Sequence, residues 1–257
     1  YPGKNLCGAV VAFKLISALY EEFGVPGEEL EDFYELAAIA TVGDVMDLQG
    51  ENRILVKEGL KRLKNTRNPG LRELIRVNGL EDSKITAYHV GFVLGPCINA
   101  SGRLDTAARS LALLNAENQD EAAKLAGDLT ALNQSRKSLT EEGKEAAIHQ
   151  VENTDLKDDR VLVIYLPDCH ESIAGIIAGR IREKYHKPTF VLTKGENSAK
   201  GSGRSIEAYS MYEELVKCDS LLLQYGGHPM AAGLSIEEKN IEEFRRRLNV
   251  NCTLTDE

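Results

Sequence analysis

The chain has 257 residues, 42% hydrophobic and 28% charged, the make-up of one large or two ordinary globular domains, which excludes fibrous and low-complexity sequence. A formal charge of −9 excludes a protein that coats nucleic acid indiscriminately, because such binding needs Lys and Arg to displace counterions; only a local basic groove remains open to it. Five widely spaced Cys without a C-x-x-C pair, and apolar runs far below the about 20 residues of a membrane span, predict a reduced, cytoplasmic protein with no membrane segment.

The start, Tyr1-Pro2-Gly3-Lys4, carries neither an initiator Met nor a signal pattern, and is read as the cut end of a piece of a longer polypeptide. Apolar residues recur at helical spacing from Leu6 to Phe23 and stop at Gly24-Val25-Pro26-Gly27. A second amphipathic run, Leu30 to Ala40, ends in Thr41-Val42-Gly43-Asp44, which puts Asp44 just past it. Further helices are predicted over Asn52 to Leu63, Leu71 to Val77, Ala87 to Leu94 and Thr106 to Leu114, separated by Gly, Pro or Asn signals.

From Gln119 to Val151 the positions Leu125, Leu129, Leu132, Arg136, Leu139, Gly143 and Ala146 alternate steps of four and three, a seam on one helix face. About 33 residues at about 1.5 Å each reach about 50 Å, the length of a domain connector. The pattern then changes to strand (Arg160 to Leu166), helix (Ile173 to Tyr185) and strand (Pro188 to Thr193), a β-α-β unit. Segments follow at Gly201 to Ser205, Tyr209 to Val216 (helix), Ser220 to Leu223, Ala231 to Ile236 and Ile241 to Leu248 (helix).

Several motifs carry donors suited to phosphate. Gly201-Ser202-Gly203-Arg204-Ser205 packs two glycines, two hydroxyls and a guanidinium into five residues, with a Gly-rich turn beside a strand as the plain alternative. Gly226-Gly227-His228 places an imidazole after two residues that free the main chain. His170 lies at the C-terminal end of the first strand of the β-α-β unit, where open sheets place ligands and where the next helix points its N–H groups. It could equally be a helix cap.

Asn99, Gly102 and Arg103 stand at the exit of an apolar helix, where a Gly-containing helix end with a surface Arg is the plainer reading. Arg136 occupies a seam position otherwise filled by Leu and needs a carboxylate or phosphate partner. Asp44 alone reads as a turn residue; a two-metal site needs several Asp and His, and the five His are scattered.

In this order the segments resemble the RecJ branch of the DHH phosphoesterase superfamily. Leu6 to Leu15 is similar to the helix after the Asp-His-His signature, Thr41 to Leu48 with Gly50-Glu51-Asn52-Arg53 to its fourth motif, and Asn99 to Leu104 to its Asn-Ala-x-Gly-Arg-Leu motif. Gly201 to Ser205 and Gly226 to Gly233 are similar to the phosphate-binding elements of a DHHA1 domain.

The resemblance implies an α/β fold. It consists of a mostly helical remainder of a DHH domain (1–117), a connecting helix (118–152), and a smaller α/β DHHA1 domain with a mixed sheet (153–257). It implies that Asp44 is one ligand of a dinuclear Mn2+ or Mg2+ site whose other ligands lie upstream of Tyr1. Arg103 would hold a phosphate from one side of a groove too narrow for duplex. Ser202, Arg204, Ser205 and His228 would hold phosphate or the strand end from the other, with His170 facing the same crevice.

Two departures are visible: Cys97 stands where the family often has Arg, and Cys169-His170 where it often has Trp-His. The implied activity is 5′-to-3′ exonuclease action on single-stranded DNA in repair and recombination, a single-strand-binding protein being a possible partner. The piece itself is expected to be inactive. A phosphodiesterase for short RNA or cyclic dinucleotides and a non-catalytic nucleic-acid-binding scaffold are the alternatives.

Overall fold

The computed structural model describes residue 3 and residues 5–254, so most of the opening tetrapeptide lies outside the described residues. By compactness the chain divides into two units, 1–135 and 136–257.

The first unit is helical: α1 (Gly8–Phe23), α2 (Phe33–Gly43), α3 (Gly50–Leu63), α4 (Pro69–Val77), α5 (Ala87–His89), α6 (Gly95–Leu104) and α7 (Ala108–Leu114). α2 and α3 cross where a Cβ on Gly59 would lie 2.4 Å from the Ala38 methyl carbon, so only glycine admits this close approach of the two helices. The core gathers Leu63, Leu71, Leu74, Leu94, Leu113 and Leu129, all at most 1% exposed.

The helix expected to stop at Leu94 continues. A π-helical turn, Val90–Leu94, joins α5 to α6 without a break, the Gly95 N–H donating to Val90 O. Pro96 lacks an N–H and would crowd the preceding turn of an α-helix; the wider turn relieves that clash, so Gly95-Pro96 does not end the helix.

The long helix, α8 (Gln119–Asn153), is continuous over 35 residues and runs through the division at Ser135. Its buried positions are Ala122, Ala126, Leu129, Asn133, Thr140, Ala147 and Val151, whereas Leu139 is 38% exposed and Ala146 is also exposed. The buried face is therefore turned to one side of the expected seam. It is lined mostly with small and polar residues, which apolar spacing alone does not reveal. Arg136 is half-buried on that helix.

The second unit is a five-stranded mixed sheet of order β1-β2-β3-β5-β4: β1 (Leu162–Tyr165), β2 (Thr189–Lys194), β3 (Ala199–Arg204), β4 (Leu222–His228) and β5 (Ala231–Ile236). β1 and β2 are parallel, joined by the expected crossover helix α9 (Glu171–Tyr185); the remaining pairs are antiparallel. One face packs on α9 and the end of α8 through Ile164, Ile173, Ile177, Ile181 and Val191. The other packs on α10 (Met211–Lys217) and α11 (Ile241–Asn251), where Phe190 and Phe244 meet edge-on at 5.5 Å, a geometry worth about 0.5–1.5 kcal/mol beyond area burial.

Gly201 to Ser205 is not the Gly-rich turn of the plain alternative. It forms β3 in the middle of the sheet, with Ser205 just beyond it. Its glycines serve packing: a Cβ on Gly203 would lie 2.6 Å from Met211 Sδ and 2.7 Å from Phe190, and one on Gly201 3.0 Å from Leu234. Successive strand residues face opposite ways, so Ala199, Gly201 and Gly203 point to this core while Lys200, Ser202 and Arg204 point to the α9 face.

Candidate nucleic-acid interface

Antiparallel pairing places opposed residues on one face of a sheet. The register aligns Arg204 with Ala231 and His228, Ser202 with Gly233 and Gly226, and Lys200 with Ser235 and Gln224. Three cross-strand rows thus run outward from α9, with polar groups on β3, small residues on β5, and Gly226 and His228 on the edge strand β4. In the Ser202 row the floor beyond α9 is bare glycine, Gly233 and Gly226, and a cleft of about 460 Å3 opens there, lined by Ser172, Ser202, Gln224, Gly226, Gly233 and Ser235 among others.

Arg204 is drawn across this face by its surroundings. Its stem passes Gly179 and its guanidinium lies against Gly175, where an added Cβ would meet Arg204 Nη2 and Ser202 Oγ, each at 2.7 Å. Nη1 donates to Gly203 O at 2.7 Å and to Ser202 Oγ at 3.3 Å, so the guanidinium is joined to the hydroxyl that lines the cleft.

The β4–β5 hairpin is fixed at its tip. Ser205 N–H donates to Met230 O and Met211 N–H to Pro229 O, both at 2.9 Å, which holds the Pro229-Met230 turn and with it His228. Gly227 has φ 151°, and a Cβ there would lie 2.4 Å from Ala231 O, so this position requires glycine.

The remaining expected residues divide. Ser205 is 1% exposed and its hydroxyl donates to Tyr209 O at 2.5 Å; the structure turns it into the core rather than to the cleft. His170 caps α9, its Nδ1 accepting from Ser172 N–H at 3.3 Å, and lines a neighbouring basin of about 970 Å3 with Asp168, Lys194, Asn197, Ser198 and Lys200. Cys169 beside it has its thiol raised by burial.

In the first unit, Asn99, Gly102 and Arg103 lie exposed on the last turns of α6, spaced so as to share one helix face. Cys97 on the same helix is 0% exposed; Asn133 Nδ2 donates to its sulfur at 3.4 Å. The departure from the family's Arg is thus at a buried position, not on the exposed face beside Arg103.

Asp44 is the exposed C-cap of α2. Val45 N–H donates to Val42 O and Met46 N–H to Thr41 O at 3.1 Å each, a Schellman turn that normally takes glycine at its left-handed residue. Here that residue is Val45, with φ 55° and 87% exposed. Among the described residues no three His, Cys, Asp or Glu side chains gather where a metal ion could be held. Asp44 by itself does not fit a dinuclear site.

Lys200 and Glu171 were missed by reading motifs. Their side chains pair at 2.9 Å on the wall of the same cleft, and the signal that could have found Lys200 is the alternation Lys200-x-Ser202-x-Arg204.

The five-stranded mixed sheet with its helices is a DHHA1 domain, and residues 158–252 match that domain family. Over its full length the chain is a RecJ homologue. It is 37% identical to the single-stranded-DNA-specific exonuclease RecJ of Escherichia coli over 96% of this chain and 46% of the relative. Crystal structures of RecJ from Thermus thermophilus in complex with Mg2+ and with Mn2+ superpose with TM-score 0.86 at 36% identity, over 97% of this chain and 38% and 36% of theirs. The chain spans about half the length of the curated relatives it matches first. Among the described residues no helix is long and apolar enough to cross a membrane.

Proposed function

We propose that this chain is the strand-holding part of a cytoplasmic, metal-dependent phosphodiesterase that removes nucleotides from single-stranded DNA starting at a 5′ end. The observation that carries this reading is the joined Arg204–Ser202 group beside a floor of bare glycine, with His228 on the same face. A guanidinium and a hydroxyl supply directed donors to phosphate oxygens, and a glycine floor lets a bulky phosphate approach the main chain. His228 stands two strands from Arg204, about 9.6 Å away at the usual strand spacing, within reach of a phosphate lying over Ala231.

Arg103, with Asn99 and Gly102, is a separate phosphate contact on the first unit in this proposal, and residues 153–257 are the substrate-holding domain. Mn2+ or Mg2+, held by Asp44 together with ligands from outside these 257 residues, belongs to the longer protein. So does a single-strand-binding protein as the partner presenting the strand. The work assigned to this chain is to grip the terminal phosphate and orient the strand.

The test is binding of a short 5′-phosphorylated single strand to the 257-residue chain across a salt series. Arg204→Ala is expected to weaken binding and make the salt slope shallower by about 0.7, the value for one single-strand phosphate contact. Equal binding by both proteins at every salt concentration would remove Arg204 from the site and with it the reading.

A further inference from the structure

We propose that Lys200 is a second phosphate contact in line with Ser202 and Arg204, and that Glu171 occupies it when no strand is bound. The inference rests on the reading of the Ser202 cleft as the seat of a strand end.

Three observations support it. Lys200, Ser202 and Arg204 alternate along β3 on one face, so they recur about every 6.8 Å at the usual rise of an antiparallel strand. That step suits an unstacked single strand, which is longer per nucleotide than the about 3.4 Å of a duplex strand. A terminal phosphate at Arg204 and Ser202 therefore brings the next phosphate level with Lys200.

Lys200 and Glu171 both line the cleft at Ser202 and the basin at His170, so their ion pair stands where the two meet. A strand leaving the first cavity for the second passes over it. Beyond the pair the basin offers Lys194, Asn197 and Ser198 as donors. Asp168 and Glu196 also face it and make it less attractive to anions away from Lys200.

The pair is also replaceable. Lys200 Nζ lies 2.9 Å from Glu171 Oε2, with the two side chains 53% and 49% exposed. Exposed pairs of this kind are weak, and a phosphate brings more charge and more acceptor oxygens than one carboxylate. Glu171 thus orients the ammonium group before the strand arrives and yields it afterwards.

The experiment uses the 257-residue chain with thymidine 5′-monophosphate and a short 5′-phosphorylated oligothymidylate, titrated across a salt series. Lys200→Gln is expected to make the salt slope for the oligonucleotide shallower by about 0.7 and to leave monophosphate binding unchanged. Glu171→Gln is expected to tighten oligonucleotide binding, the monophosphate again serving as the internal comparison. A wild-type slope in Lys200→Gln, while Arg204→Ala still weakens both ligands, overturns this inference and leaves the strand-end reading standing. Failure of the unmodified chain to bind either ligand overturns both.

Discussion

Replacing Gly175 by Ala separates what holds the fold from the phosphate contact proposed for Arg204. In the interior of α9 alanine is favoured over glycine by about 0.8–1.0 kcal/mol. The new methyl group would arrive 2.7 Å from Arg204 Nη2 and Ser202 Oγ, both ends of side chains that can move, while no backbone atom stands among the three nearest neighbours. Moving the guanidinium sacrifices its 2.7 Å bond to Gly203 O, worth about 0.5–1.5 kcal/mol net. The two effects nearly offset, and thermal unfolding should shift by less than about 1 kcal/mol in stability.

Binding should respond differently, because a displaced guanidinium loses a charge-assisted contact of about 1.5–3 kcal/mol to phosphate. That is a weakening of about tenfold to about 150-fold. Thermal melts and titrations with a 5′-phosphorylated strand read the two quantities side by side. Destabilisation by the about 1–3 kcal/mol typical of an overpacked core would refute the claim that Gly175 serves Arg204 rather than backbone packing. An unchanged melt with unchanged binding would refute the role of the guanidinium's position.

Two further predictions concern the first unit. Val45→Gly relieves a left-handed β-branched residue that costs about 1–2 kcal/mol, partly offset by the entropy of glycine in the unfolded chain; a melting temperature higher by roughly 2–4 °C is expected, and a lower one would contradict the strain. Glu35 is 6% exposed and accepts from Thr66 Oγ1 at 2.6 Å; burial, with Asp32 adding to it against Thr66, Arg62 and Arg67, raises its carboxyl above the ordinary 4.5. The folded chain therefore keeps a proton that the unfolded chain releases, and this contribution to stability, full below 4.5, is lost as pH rises through the folded value. Glu35→Gln should flatten the decline of stability above that pH and raise stability at neutral pH; an unchanged pH profile by denaturant unfolding would sink the assignment.

Much of the architecture was legible because local pattern determines it. The β-α-β unit around α9 and the single helix from Gln119 onward follow from apolar spacing. What failed depended on partners that residue type and spacing do not name, some distant in sequence and some, like Tyr209 for Ser205, only a turn away. Glycine at 201 and 203 hides the alternation of β3, since the space those positions leave is filled by Phe190, Leu234 and Met211 from other elements. Ser205 looked like a phosphate donor until Tyr209 claimed its hydroxyl, and Cys97 looked like a lost surface cation until Asn133 closed over it.

The Lys200–Glu171 pair joins residues from two elements and leaves no local trace beyond the alternating polar positions. For Asp44 the end of the preceding helix was legible, but the Schellman turn was not, because valine stands where glycine would have announced it.

The two-sided alternation of β3 bears on how this sequence can drift over generations. One residue inserted or lost inside the strand would invert every position beyond it, driving Ser202 and Arg204 against Phe190 and Met211 and leaving glycines to face the cleft. Composition would be nearly unchanged, while both the core and the proposed phosphate contacts would be destroyed. Around this strand, length variation among descendants of this chain is therefore expected in flanking turns such as 195–198 rather than inside β3, whose count is held as firmly as its glycines.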